Sequence, residues 1–133
     1  MINKIAIIGF GSAGQRHFKA LKKIKNFKIF IFSKRKNKRN NFYPLSLIET
    51  INPDYIIISS ATSDHKKHIK LIEKKFIKKI VLVEKPLLEK FSNLNLKRNT
   101  YYVGYQLRFH PVLQKLKGLI KRKVKVFNIN IIS

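Results

Sequence analysis

The sequence predicts an α/β protein built on a doubly wound parallel sheet. Three observations point to it. Short apolar runs rich in β-branched residues alternate with segments of helical period. The central runs are apolar throughout, as strands covered on both faces are. The first run ends on a glycine cluster that leads straight into a helical pattern, the strand–turn–helix opening of a βαβ unit.

The elements follow in order. Residues 4–8 form the first buried strand. Residues 15–25 carry Phe18, Leu21 and Ile24 at three-residue intervals, the apolar face of a helix. Residues 28–32 form a second apolar strand, and residues 44–51 a short helix with Pro44 in its first turn, where the missing N–H is tolerated. Residues 55–59 form a buried, β-branched strand. Residues 65–79 form a helix that turns Ile69, Ile72 and Phe76 inward, with Asp64 as its N-cap. Residues 80–83 form the next strand. The stretch 87–100 is rich in Asn and Lys and has room for a loop or an abbreviated helix, so its cover of the sheet is partial. A strand over 101–106 and a helix over 111–121 follow. Residues 124–132 read as a final strand of alternating character, whose Val124, Val126, Ile129 and Ile131 need partners to bury them. The expected division is one doubly wound unit over 1–110, then a linking helix and first strand of a further unit over 111–133.

With 133 residues there is room for one domain. The 30 Lys and Arg against 6 Asp and Glu give a formal charge of +24, which first suggests a nucleic-acid partner. The lysines are spread along the whole chain, however, and no helix-turn-helix, stacking platform or zinc motif accompanies them. A general compositional bias is the preferred reading, and nucleic acid is not the expected partner; selection for an anionic partner stays as the alternative, since a positive field attracts nucleotides too. The lack of Cys excludes disulfides and thiolate metal sites, and no metal site is read. No apolar run approaches the roughly 18 residues of a spanning helix. No signal peptide is read at the start, so a cytoplasmic location away from membranes is expected.

Chemistry concentrates at the predicted strand ends. Gly9-Phe10-Gly11-Ser12-Ala13-Gly14 is a G-x-G-x-x-G run placed between strand and helix, the context that makes this pattern informative. Gly9 permits the tight turn, Gly11 lets a pyrophosphate approach the backbone, and Gly14 lets the helix pack on the strand. The helix N-terminus offers free N–H groups and partial positive charge to the phosphates. After the second strand, where a carboxylate would bind the ribose 2′-OH of NAD, stand Ser33, Lys34 and Arg35. A hydroxyl and two cations suit a 2′-phosphate, so NADP is favoured over NAD; the alternative is that they are further residues of a lysine-rich loop.

Later strand ends carry Ser60-Ala61-Thr62-Ser63-Asp64-His65, then Glu84-Lys85-Pro86, then Gly104-Tyr105-Gln106-Leu107-Arg108-Phe109-His110-Pro111. With the glycine loop, these motifs resemble the N-terminal part of the Gfo/Idh/MocA oxidoreductases, in that family's order and near its spacing, from Ile2 to about Lys121. The run Gly11 to His17 resembles members associated with surface-sugar biosynthesis.

The resemblance implies a Rossmann-like domain and reversible hydride transfer between a nicotinamide cofactor and a hydroxyl-bearing carbon of a sugar, sugar nucleotide or cyclitol. Lys85 matches the family's lysine at the nicotinamide and substrate, where its ammonium polarises the reacting oxygen or relays a proton, with Glu84 orienting or neutralising it. Ser60, Ala61, Thr62 and His65 match positions lining the cofactor; His65 has the alternative of capping its helix. Gln106 and Arg108 fall on the substrate side of the cleft.

The family's enzymes have a second domain, a large sheet that supplies the substrate floor and a downstream Asp/His motif. Here the sequence runs to Ser133. Two further expectations follow. The chain is the nucleotide-binding part of such an enzyme, catalytically inactive by itself in one version, and a homo-oligomer or complementing chain pairs with its last strand.

Overall fold

The computed structural model describes residues 3–34 and 42–121. Arg35, the rest of the basic loop to residue 41, and the expected strand at 124–132 lie outside the described residues.

Six strands form one parallel sheet: β1 (Asn3–Ile8), β2 (Phe27–Phe32), β3 (Phe42–Tyr43), β4 (Tyr55–Ile58), β5 (Ile80–Val83) and β6 (Thr100–Val103), in the order β3-β2-β1-β4-β5-β6. From β1 the chain winds outward to β3, returns to β4 on the other side of β1, and winds away to β6. The winding direction therefore reverses between β1 and β4, and a crevice opens there at the carboxyl ends of the strands.

Side chains alternate across the sheet, so each strand feeds two cores. One core joins Ala6, Ile8, Phe30, Phe32, Ile56, Ile58, Val81 and Val83 to Ile69, Ile72 and Phe76 and to Ile48. The last belongs to α2 (Ile48–Ile51), and Ile69 and Ile72 belong to α3 (Thr62–Lys75). The other core sets Ile5, Ile7 and Ile57 against Phe18 and Leu21 of α1 (Ser12–Leu21). Each isoleucine removed from water contributes about 1.5–3 kcal/mol before entropy is counted, and this burial is why the central strands read as unbroken apolar runs.

The two faces are unequally covered. On the first, Leu87, Leu88, Leu94 and Leu96 of the irregular stretch after β5 pack onto the core; no helix forms there. On the second, Ile80 and Tyr102 at the β5–β6 end are 43% and 56% exposed. The Glu73 carboxylate ties the irregular stretch down by accepting hydrogen bonds from the Lys97 and Arg98 N–H groups, the Asn99 amide and the Tyr101 hydroxyl.

Several boundaries differ from the sequence expectations. Helix α1 begins at Ser12 and ends at Leu21; Ile24 falls beyond it and is 54% exposed, because the chain turns toward β2 through Asn26 with φ +75°. Helix α3 begins at Thr62, not residue 65, with Ala61 at the N-cap and no side-chain cap. Asp64 instead lies in the first turn, where its charge suits the positive end of the helix. The helix stops at Lys75, since Phe76 is already extended and Lys78 adopts φ +56° to swing the chain into β5. The helix expected over 44–51 splits into a 3₁₀ turn, Leu45–Leu47, and α2. Strand β6 ends at Val103, and Gln106–Phe109 forms a 3₁₀ turn before α4 (Pro111–Lys121). Strand β3 was not expected: two residues are too short to show a period.

Candidate functional site

The sheet register sets the site. Ile8 pairs with both Phe32 and Ile58, Ile58 with Val83, and Val83 with Val103, so the carboxyl ends are level. Backbone bonds continue one step past the strands: Gly9 N–H to Phe32 O, Ser59 N–H to Ile8 O, Glu84 N–H to Ile58 O and Gly104 N–H to Val83 O, all 2.8–2.9 Å. The glycine loop, the Ser60 loop, Glu84-Lys85-Pro86 and Gly104 thus share one rim.

The glycine loop is tightly determined. Gly9 has φ +92°, and a Cβ on it would run into the Ser59–Ser60 backbone. A Cβ on Gly14 would meet the Gly9 carbonyl and, at 2.9 Å, Ser59 Oγ. Ser59 Oγ donates to the Gly9 carbonyl at 2.9 Å, bracing the turn from β4. The Phe10 ring is buried, edge-on to Phe18 and Phe42 at 5.6 and 5.4 Å, so it does not cover the outer side of the turn. Gly11, at the N-cap of α1, has no atom within 4 Å of where a Cβ would lie. An open backbone at a helix N-terminus fits a pyrophosphate, and the loop passes that test for a dinucleotide.

His65 is buried, at 1% exposure. Its Nδ1 faces the Pro86 and Leu87 carbonyls at 3.1 and 3.2 Å, and its Nε2 faces the Ser60 carbonyl at 3.1 Å. The ring sits between the Ser60 loop and the turn after Lys85, with both nitrogens facing backbone carbonyls and donating on the side that carries the proton. The Lys85–Pro86 peptide bond within that turn is cis. One turn along α3, His68 Nδ1 lies 2.9 Å from Ser60 Oγ. Burial lowers the His68 pKa, Asp64 works against that, and Lys67, His65 and Lys34 reinforce it.

Glu84 is 7% exposed. Its Oε1 accepts a hydrogen bond from His17 Nε2 at 2.6 Å, and its Oε2 accepts one from the Lys85 N–H at 3.3 Å. Lys85 itself is exposed. Ser33 is half-buried at the end of β2 and Lys34 beside it is exposed. Ser12 and Ala61 are exposed, while Ala13, Ser60 and Thr62 are half-buried along the crevice. Beyond Gly104, by contrast, Gln106 and Arg108 stand in solvent. Sequence reasoning missed His17, whose partner is 67 residues away and is brought near only by the topology. Among the described residues, no three His, Asp or Glu side chains gather as a metal site requires, and no helix is long and apolar enough to cross a membrane.

A level parallel sheet with a glycine turn at its switch point defines the dinucleotide-binding class of α/β domain. The chain belongs to the Gfo/Idh/MocA oxidoreductase family: the family model, described as an oxidoreductase family with an NAD-binding Rossmann fold, matches residues 3–96. Solved structures share the fold. The WlbA (WbpB) dehydrogenase from Thermus thermophilus, in complex with NAD and UDP-GlcNAcA, gives a TM-score of 0.71 at 21% identity over 93% of this chain and 48% of its own. The WlbA dehydrogenase from Bordetella pertussis, in complex with NADH and UDP-GlcNAcA, gives 0.70 at 15% over 92% and 42%. The oxidoreductase yvaA from Bacillus subtilis gives 0.67 at 20% over 92% and 40%. The chain spans less than half the length of these relatives. No curated protein sequence matches it.

Proposed function

We propose that this chain is the nucleotide-binding part of an oxidoreductase that moves a hydride between NAD(P) and a hydroxyl or keto carbon of a sugar nucleotide. The observation that carries this is the rim: one level edge holds an open glycine turn, the Ser60 loop and Lys85. The nicotinamide cofactor supplies the hydride acceptor or donor when bound. The N–H groups at the start of α1, from Gly11 to Gly14, hold the pyrophosphate. Ser60, Ala61 and Thr62 border the ribose and nicotinamide side, and His65 keeps that border in place. Lys85, exposed at the end of β5, polarises the reacting oxygen and exchanges its proton. Gln106 and Arg108 face the substrate. The WlbA structures, solved with UDP-GlcNAcA, support a sugar nucleotide as the substrate class.

Ser33, Lys34 and Arg35, with no acid among them, favour the 2′-phosphate of NADP. A charge-assisted hydrogen bond contributes about 1.5–3 kcal/mol, so NADPH should bind at least about tenfold tighter than NADH. Nicotinamide fluorescence titrations of the full chain check this. Lys34→Glu should remove most of the preference; tighter binding of NADH by the unmodified chain would overturn it.

A second reading, binding without turnover, is favoured by Gln106 and Arg108, which stand in solvent rather than in a formed substrate site. A turnover assay with UDP-sugars and both cofactors separates the two: cofactor binding without any turnover supports the second.

A further inference from the structure

We infer that His17 is a positioning residue for Lys85: it hydrogen-bonds the Glu84 carboxylate and holds it inward, so that Glu84 holds the Lys85 backbone while the Lys85 ammonium is left for the substrate. This deepens the function proposed above and rests on Lys85 being the reacting lysine.

The neighbourhood of Glu84 and Lys85 in sequence suggests that the carboxylate neutralises the ammonium. The geometry gives the carboxylate other work. Just past β5, Glu84 is buried while Lys85 is exposed, so the two side chains part company. A carboxylate with 7% exposure needs partners to offset its lost hydration. Glu84 has them on both oxygens: the His17 imidazole at 2.6 Å on one, the Lys85 backbone N–H at 3.3 Å on the other. Gly104 borders it: a Cβ there would lie in ordinary contact, 3.5 Å from the carboxylate atoms. Among the described residues the basic side chains within reach of a carboxylate are His17 at Glu84 and Lys75 at Glu49; Lys85 is not one of them.

Two consequences follow. An ammonium with a carboxylate partner is a weaker electrophile, because that partner already satisfies its charge. By occupying Glu84, His17 keeps Lys85 available. His17 also belongs to α1, the helix whose first turn is the glycine loop. The pair therefore bolts the phosphate end of the rim to the lysine end, and a shift of α1 is carried to the Lys85 backbone. Orientation of this kind is what reactions with closely placed groups depend on.

The test compares the full chain with His17→Leu, which removes the donor, His17→Gln, which keeps an N–H donor, Glu84→Gln, and the His17→Leu/Glu84→Gln pair. Amide resonances of Lys85 and Gly104 are read in the cofactor-free protein, and NADPH affinity by fluorescence. His17→Leu should displace the Lys85 amide resonance and weaken NADPH about tenfold. His17→Gln should restore most of both, and the double variant should bind no worse than Glu84→Gln. Should His17→Leu not fold, His17→Ala takes its place. A Lys85 amide unmoved by loss of His17, or no rescue by Gln, overturns the inference. A chain that binds no NADPH contradicts the proposed function instead, and the Lys85 amide then decides the His17 role alone.

Discussion

The loops at the ends of β1, β4 and β5 and the segment after β6 leave the same sheet edge, yet they differ in every physical respect. The first group is over-determined. Gly9 and Gly14 sit where no side chain fits, the buried His65 ring is packed among three carbonyls, and Glu84 is satisfied from two sides. After Gly104 the chain keeps Tyr105, Leu107 and Phe109 at 50–74% exposure, and α4 leaves Val112, Leu119 and Ile120 at 42–58%. The difference separates loops held by contacts along the sheet edge from a segment whose apolar side chains stay exposed.

That contrast orders the expected effects of substitution, each read as unfolding free energy in urea. Ile72→Ala, in the core under the rim, should cost most, about 2–5 kcal/mol. Gly14→Val, which drives a side chain into the Gly9 carbonyl, should cost about 1–3 kcal/mol and lower cofactor affinity with it. His65→Leu, which strips the donor from buried carbonyls, belongs near about 1–2 kcal/mol. Leu107→Ser and Phe109→Ser should fall within about 0.5 kcal/mol. A cost above about 2 kcal/mol for either of the last two would erase the contrast.

The Glu73 network adds a pH dependence away from the rim. Burial would raise the Glu73 pKa, but hydrogen bonds from Asn99, the Arg98 and Lys97 N–H groups and Tyr101 outweigh it and hold it below the usual carboxylate value. A carboxyl lowered in the folded state stabilises the protein above its unfolded value, and that stabilisation is lost as pH falls through the folded one. Glu73→Gln should therefore flatten the loss of stability between about pH 5 and pH 3. An unchanged acid slope would remove Glu73 from the account.

The central strands were legible because parallel strands covered on both faces leave a continuous apolar run. The glycine loop was legible because its spacing is a local pattern. Helix ends were not, and the reasons are specific. Helix α3 starts at Thr62 behind an N-cap, Ala61, that has no capping side chain, and both Asn26 and Lys78 take positive φ, which Lys gives no sign of in sequence. The His65 contacts and the His17–Glu84 pair depend on segments 21, 22 and 67 residues apart, and only the strand order brings them together.

The central claim, that the rim is a dinucleotide site, is tested most directly by mapping NADPH onto the labelled full chain through its amide resonances. The account predicts shifts concentrated at Gly9 to Gly14, Ser60 to Thr62 and Lys85, with Leu107 to Leu119 and the opposite strand ends at Asn3 and Tyr55 unmoved. Shifts scattered over exposed lysines, or none at saturating NADPH, would contradict it.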